Sequence, residues 1–111
     1  MTTHVVNVKE FKPYSKYWYN QSVDSPYVYV GRYMPHLIPI NSKWRNPFKI
    51  DDKAPNKNKE RQRVLIEFRD YLINQPELLK QIPLELKDKT LGCWCKPLPC
   101  HGDILAEIAD R

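Results

Sequence analysis

The residues best suited to chemistry lie in one stretch, Leu91-Gly92-Cys93-Trp94-Cys95-Lys96-Pro97-Leu98-Pro99-Cys100-His101-Gly102-Asp103. It holds all three cysteines of the chain and one of its three histidines. Two chemistries fit. In one, the cluster is an anion-binding or reactive pocket, because a helix N-terminus attracts anions and lowers the pKa of a nearby thiol. Cys100 and His101 would then act as nucleophile and base, with Asp103 orienting His101 or capping the helix. In the other, thiolates and imidazole hold zinc, which takes four Cys or His ligands in a tetrahedron. The donor set would be Cys93, Cys95, Cys100 and His101, with His4 or His36 available to complete it. That spacing is tighter than a zinc knuckle, and adjacent Cys100 and His101 are awkward partners for one ion. A plainer reading makes Cys93 and Cys95 small core residues, as free cysteine often is.

A second concentration follows Gly31-Arg32, in Ser42-Lys43-Trp44-Arg45-Asn46-Pro47-Phe48. Arginine, a planar ring and a carboxamide are the tools for holding a sugar phosphate or a base. Arg32 would clamp an anion, Trp44 would stack on a ring, Asn46 would bond a polar edge, and Ser42 adds a hydroxyl. Equally, Asn-Pro is an ordinary turn, and Trp44 with Phe48 would plug the core. The segment Lys9–Pro26 mixes Tyr14, Tyr17, Trp18 and Tyr19 with lysines. Such rings either stack on bases or fold back onto the core.

The elements that must position these groups are short. His4–Val8 and Tyr27–Val30 read as strands, with Val28 and Val30 sharing a face. Asn58–Asn74 carries Val64, Leu65, Phe68, Tyr71 and Leu72 on one face and reads as an amphipathic helix. Arg61, one turn before that apolar face, can reach a site at the helix start or sit on a solvated face. Pro76 opens a short helix over Glu77–Gln81, as proline at a first helical position allows, and Ile82-Pro83 ends it. Thr90–Cys95 is the last strand, placing Cys93 and Cys95 on the same face. Asp103–Ala109 is the final helix, with Asp103 at its N-cap or in its first turn. A helix between strands implies a crossover. The fold class is therefore α/β: a single domain over residues 1–111, a two- or three-layer sandwich with a short, partly parallel sheet. In such sheets ligands gather beyond the carboxyl ends of the strands. If the strands before Arg32 and Cys95 are parallel neighbours, both motifs line one pocket.

With 111 residues and a formal charge of +5, the expected partner is an anionic small molecule or a nucleic acid, although no basic block dominates. No apolar run approaches a membrane span, and the N-terminal residues carry no signal-peptide pattern. An odd number of thiols fits a reducing compartment. The expectation is a cytoplasmic protein, in the host cytoplasm if viral. No cofactor is named by these residues beyond zinc in the second reading.

Gly31-Arg32, the Ser42-Lys43-Trp44-x-Asn46-Pro47-Phe48 loop and the Cys93-Trp94-Cys95-x-Pro97-x-x-Cys100-His101-Gly102-Asp103 block together resemble a family of small phage, viral and microbial proteins of unknown function. The resemblance covers nearly the whole chain. It departs from the family pattern at Arg45, where glycine commonly stands, and at Tyr33–Asn41, which reads as an insertion. It implies a shared site and leaves the reaction open. The leading expectation is a domain that binds a phosphate-bearing, nucleotide-like ligand and acts on it through a Cys/His site. The alternative is a zinc-stabilised module that binds nucleic acid or protein.

Overall fold

A computed structural model describes residues 2–111; Met1 lies outside the described residues. Strand β1 (His4–Asn7) leads through a 3-10 turn (Val8–Glu10) into a four-residue helix α1 (Tyr14–Tyr17). Strand β2 (Tyr27–Tyr29) follows, then a long connection to α2 (Lys57–Ile73), α3 (Pro76–Glu85), β3 (Thr90–Cys93) and α4 (His101–Ala109). The three strands form one sheet in the order β1-β3-β2, and both pairings are parallel. Opposite β3, Val5 and Val28 both face Leu91.

Period-two alternation along these strands builds two cores. Val5, Val28, Val30, Leu91 and Cys93 join the cluster under the helices, with Phe68, Leu72, Ile82, Leu86 and Leu105. The other sheet face meets an aromatic layer of Val8, Trp18, Tyr29, Ile38 and Ile40, with Val6, Phe11, Tyr17, Tyr27 and Trp94 packed against it. Phe11, Trp18 and Tyr27 meet one another at ring separations of 5.8–6.0 Å. The rings of Lys9–Pro26 are thus largely spent on the core, and Trp18 is 1% exposed. Gly92 makes room for this layer: a Cβ there would lie 2.5 Å from the Trp18 ring. Gly92→Ala is expected to cost about 1–3 kcal/mol through overpacking, read as a lower urea midpoint at unchanged slope.

Three elements end or begin two or more residues from expectation. Strand β3 ends at Cys93 rather than Cys95, because backbone N–H groups of Cys95 and Lys96 turn back onto the Cys93 sulfur. Helix α3 continues through Pro83 to Glu85. Pro83 sits on the exposed side of the last turns, where its ring meets solvent and not the core. Helix α4 begins at His101 with Cys100 as N-cap, which places Asp103 at its third residue.

Helix α4 is pinned at both ends. The Asp110 carboxylate at its end accepts the Thr3 hydroxyl (2.7 Å) and backbone N–H (3.0 Å). Its start lies so close to β1 that a Cβ on Gly102 would come within 2.9 Å of Val5. The helix N-terminus is thereby fixed beside the carboxyl ends of the strands.

Candidate functional site

Because β2 and β3 are parallel neighbours, the chain leaving each opens on the same end of the sheet. A cavity of about 300 Å³ lies there. Gly31 and Arg32 after β2, Cys93, Trp94 and Cys95 at the end of β3, and Cys100 and His101 at the start of α4 contribute to its wall. Asn46 and Phe48 come from the long connection, and Arg61, Val64 and Leu65 from α2. The joint pocket expected from parallel pairing is present, but it does not include Ser42 or Trp44. Those two border a second cavity of about 310 Å³ along β2, with Tyr27, Val28 and Tyr29.

The Trp44 ring is 4% exposed and belongs to the core cluster. This weighs against the stacking expectation: core side chains pack on the indole and Lys43 Nζ lies 4.9 Å from its ring centroid, which leaves little open face for a ligand. Ser42, also buried, accepts the Trp44 N–H at 3.1 Å and shapes the local turn. Asn46 does likewise, accepting the Phe48 N–H at 2.9 Å and donating to the Val64 carbonyl at 3.4 Å, so it ties the loop to α2.

Cys93 and Cys100 converge, their sulfurs 3.1 Å apart. The two share a proton unequally. Cys93 is lowered to about 7, first by the Cys100 hydrogen bond and further by the backbone N–H groups of Lys96 and Cys95, against the opposing effect of burial. Cys100 is pushed well up, by the same hydrogen bond and by burial. We assign the thiolate to Cys93 because two backbone N–H groups converge on it, whereas Cys100 receives only that of Asp103. Cys95 is raised by burial, although Arg61 and Arg32 both oppose that shift; it lies within the field of the two guanidiniums.

His101 Nε2 lies 2.6 Å from the Val30 carbonyl, and the ring meets Phe68 edge-on at 5.1 Å. Burial lowers its pKa, outweighing the backbone hydrogen bonds to Val30 and Trp44. A neutral ring donating from Nε2 ties the start of α4 to the end of β2. This geometry turns the candidate base toward the protein backbone. Asp103 is equally engaged: one carboxylate oxygen accepts the Cys100 N–H at 3.0 Å and the other pairs with Lys96 at 2.5 Å. It caps the helix, as the pattern of a third-residue carboxylate reaching back to the N-cap allows.

The two arginines of the cavity are unlike the others. Arg63, Arg69 and Arg111 have carboxylate partners, and Arg45 donates to the Ser42 carbonyl at 3.1 Å. Arg61 has a buried Nε with no hydrogen-bond partner. Arg32 is exposed, and its backbone is held in place because its carbonyl accepts the Tyr29 hydroxyl, which itself accepts Trp94 Nε1 at 2.7 Å. Tyr29, Trp94 and the walls Met34 and Ile50 carried no signal in sequence that could be told from core packing. Arg61 did carry one, its place one turn before the apolar face.

Among the described residues no three Cys, His, Asp or Glu side chains are grouped to hold a metal ion. Cys93 and Cys100 meet, but His101 Nε2 is turned to the Val30 carbonyl. His4 pairs with Thr90 at the opposite end of β3, and His36 stands exposed outside the cavity wall. The expected zinc set is therefore not assembled. A chelator is expected to leave the thermal midpoint unchanged, whereas a zinc-built fold would melt at a lower temperature.

Fold and site define a small parallel α/β protein with a cavity of thiols and arginines at the carboxyl end of its sheet. The chain belongs to the family described as Domain of unknown function (DUF4326), whose pattern matches residues 14–111. It is 49% identical over 39 residues to an uncharacterized 12.4 kDa protein of Enterobacteria phage T4, a match covering 35% of this chain and 36% of that protein. It is 33% identical over 99 residues to an uncharacterized protein of Acanthamoeba polyphaga mimivirus, covering 80% of this chain and 71% of that one. No solved structure matches it significantly. No described helix is long and apolar enough to cross a membrane.

Proposed function

We propose that the cavity binds a phosphate-bearing, nucleotide-like ligand and that Cys93 is the group placed to act on it. The observation that carries this reading is Arg61, a cavity-lining guanidinium whose buried Nε lacks any protein partner. An unpaired buried donor on a charged group is costly, and an anion in the cavity would satisfy it. Arg32 supplies a second positive charge on the same wall, so the pair suits a dianionic phosphate. Met34, Phe48, Ile50 and Trp94 supply apolar and aromatic wall for a planar base. About 300 Å³ is at the small end of ligand pockets, which suits a mononucleotide better than a dinucleotide.

Within this reading the roles shift by a few residues from those expected. Cys93, with thiolate character near neutral pH, replaces Cys100 as the nucleophile. Cys100, His101 and Asp103 become positioning residues: the first donates to Cys93, the second locks α4 to β2, and the third caps α4.

Calorimetric titration with inorganic phosphate, a nucleoside and the corresponding nucleoside monophosphate tests the proposal. The monophosphate is expected to saturate one site and to bind more tightly than either part alone. Absence of saturable binding by all three would overturn it. So would tight binding of single-stranded nucleic acid that falls steeply with salt and is not competed by mononucleotide, which would favour a nucleic-acid surface instead.

A further inference from the structure

Helix N-terminus, arginines and apolar wall account for ligand holding, but not for two thiols in contact. We propose that Cys93 and Cys100 form a redox-active dithiol, which exchanges with low-molecular-weight disulfides entering the cavity. The sulfurs stand 3.1 Å apart, so forming a bond of about 2.05 Å needs a closure of roughly 1 Å. That movement falls on two element ends, the last residue of β3 and the N-cap of α4, joined by the turn over residues 94–99 in which Pro97, Leu98 and Pro99 are exposed. Neither sulfur has to leave the cavity wall.

The protonation pattern is the one such exchange requires. The attacking group must be a thiolate, and Cys93 holds that character through the Cys95 and Lys96 N–H groups and the Cys100 thiol. Cys100 keeps its proton until it is needed as the second nucleophile. Cys93 is 1% exposed and Cys100 is 2% exposed. Only a small molecule that enters the cavity can reach them, which excludes disulfides on folded protein surfaces. Cys95 is more accessible, but burial and the neighbouring Cys93 keep its thiol protonated, so it is a bystander.

The steps balance. Cys93 thiolate attacks one sulfur of the small disulfide; the disulfide bond breaks, one thiolate leaves, and a mixed disulfide on Cys93 remains. Cys100 gives its proton to the departing thiolate and attacks the Cys93 sulfur, expelling the second small thiolate. Two electrons pass from the dithiol to the small disulfide, leaving a Cys93–Cys100 disulfide, one small thiol and one small thiolate, which takes a proton from water. A small dithiol or excess monothiol reverses the sequence. None of these steps requires a nucleotide, so the chemistry does not depend on the phosphate reading.

The test equilibrates the full chain in anaerobic mixtures of reduced and oxidised glutathione, followed by acid quench, alkylation and peptide mass spectrometry. The expected result is a single two-electron transition in which Cys93 and Cys100 become protected together. Cys95 should remain alkylated throughout. Cys100→Ser, its fold checked by circular dichroism, should trap a glutathione adduct on Cys93. The inference is overturned if no Cys93–Cys100 disulfide forms at any poise, or if Cys95 takes its place in the disulfide or in the trapped adduct. Failure here leaves nucleotide titration of the reduced protein unaffected, and failure of that titration leaves this result intact.

Discussion

Replacing Arg61 with methionine is expected to weaken nucleoside monophosphate binding roughly 10- to 100-fold, the loss of one charge-assisted hydrogen bond of about 1.5–3 kcal/mol. The same change should raise the stability of the ligand-free protein. In that state the buried Arg61 Nε has no partner, and such an orphan costs about 1–3 kcal/mol. Methionine keeps much of the aliphatic stem that packs beside Val64 and Leu65 while removing the unsatisfied donor. Opposite signs for binding and stability distinguish a ligand-holding residue from a structural one. Arg63→Met is the control: Arg63 bridges Glu60 and Glu67 on the exposed side of α2, at 2.8 and 3.0 Å, and should leave binding unchanged. Unaltered affinity in Arg61→Met, or a fall in its melting temperature, would remove Arg61 from the site.

Arg61 also marks where sequence reasoning stopped. Helical periodicity separates a buried stripe from an exposed one, and Val64, Phe68 and Leu72 do fall in the core as their spacing requires. The same periodicity leaves a residue at the stripe's edge undecided between solvent and cleft. The choice is made by where Phe48 and Ile50 return along α2, a tertiary matter. Trp44 failed in the opposite direction. A tryptophan in a polar loop suits a stacking surface and a core plug equally, and the choice depends on the space left beside α2 and α3. By contrast, a crossover long enough to carry helices favoured some parallel pairing, and the structure makes β2 and β3 parallel neighbours. Once it held, Arg32 and Cys93 were bound to share one end of the sheet. Asp103 was legible as a capping residue but not as N-cap or third residue, because a carboxylate at either place satisfies free N–H groups at the helix start. The pairing of Cys93 with Cys100, rather than with Cys95, arises because β3 ends two residues earlier than alternation alone implies.

His101 should make the protein acid-sensitive in a way that one substitution can isolate. Its ring is 8% exposed, between Phe68 and the Val30 carbonyl, and burial holds its pKa below the ordinary value. The charged groups that act on it are Arg32, which lowers the pKa further, and Asp103, which opposes. The folded state therefore binds a proton less readily than the unfolded one, whose histidine titrates near about 6.5. The stability associated with the neutral ring is fully present above that value. It is lost as pH falls below it, because the unfolded chain takes up the proton first. His101→Gln keeps an N–H donor for Val30 and removes the titration, so the difference in unfolding free energy between it and wild type should be flat above pH 7 and shift in the variant's favour toward pH 5. His101→Leu abolishes the same slope, yet it strands the Val30 carbonyl and should cost about 1–3 kcal/mol even at pH 8. Urea titrations of the three proteins across that range decide the matter. Parallel pH profiles for wild type and His101→Gln would mean that the ring takes up its proton equally readily in the folded and unfolded chain, and a difference that moves in the wild type's favour toward pH 5 would mean that His101 holds α4 to β2 as an imidazolium and adds to the positive charge of the cavity.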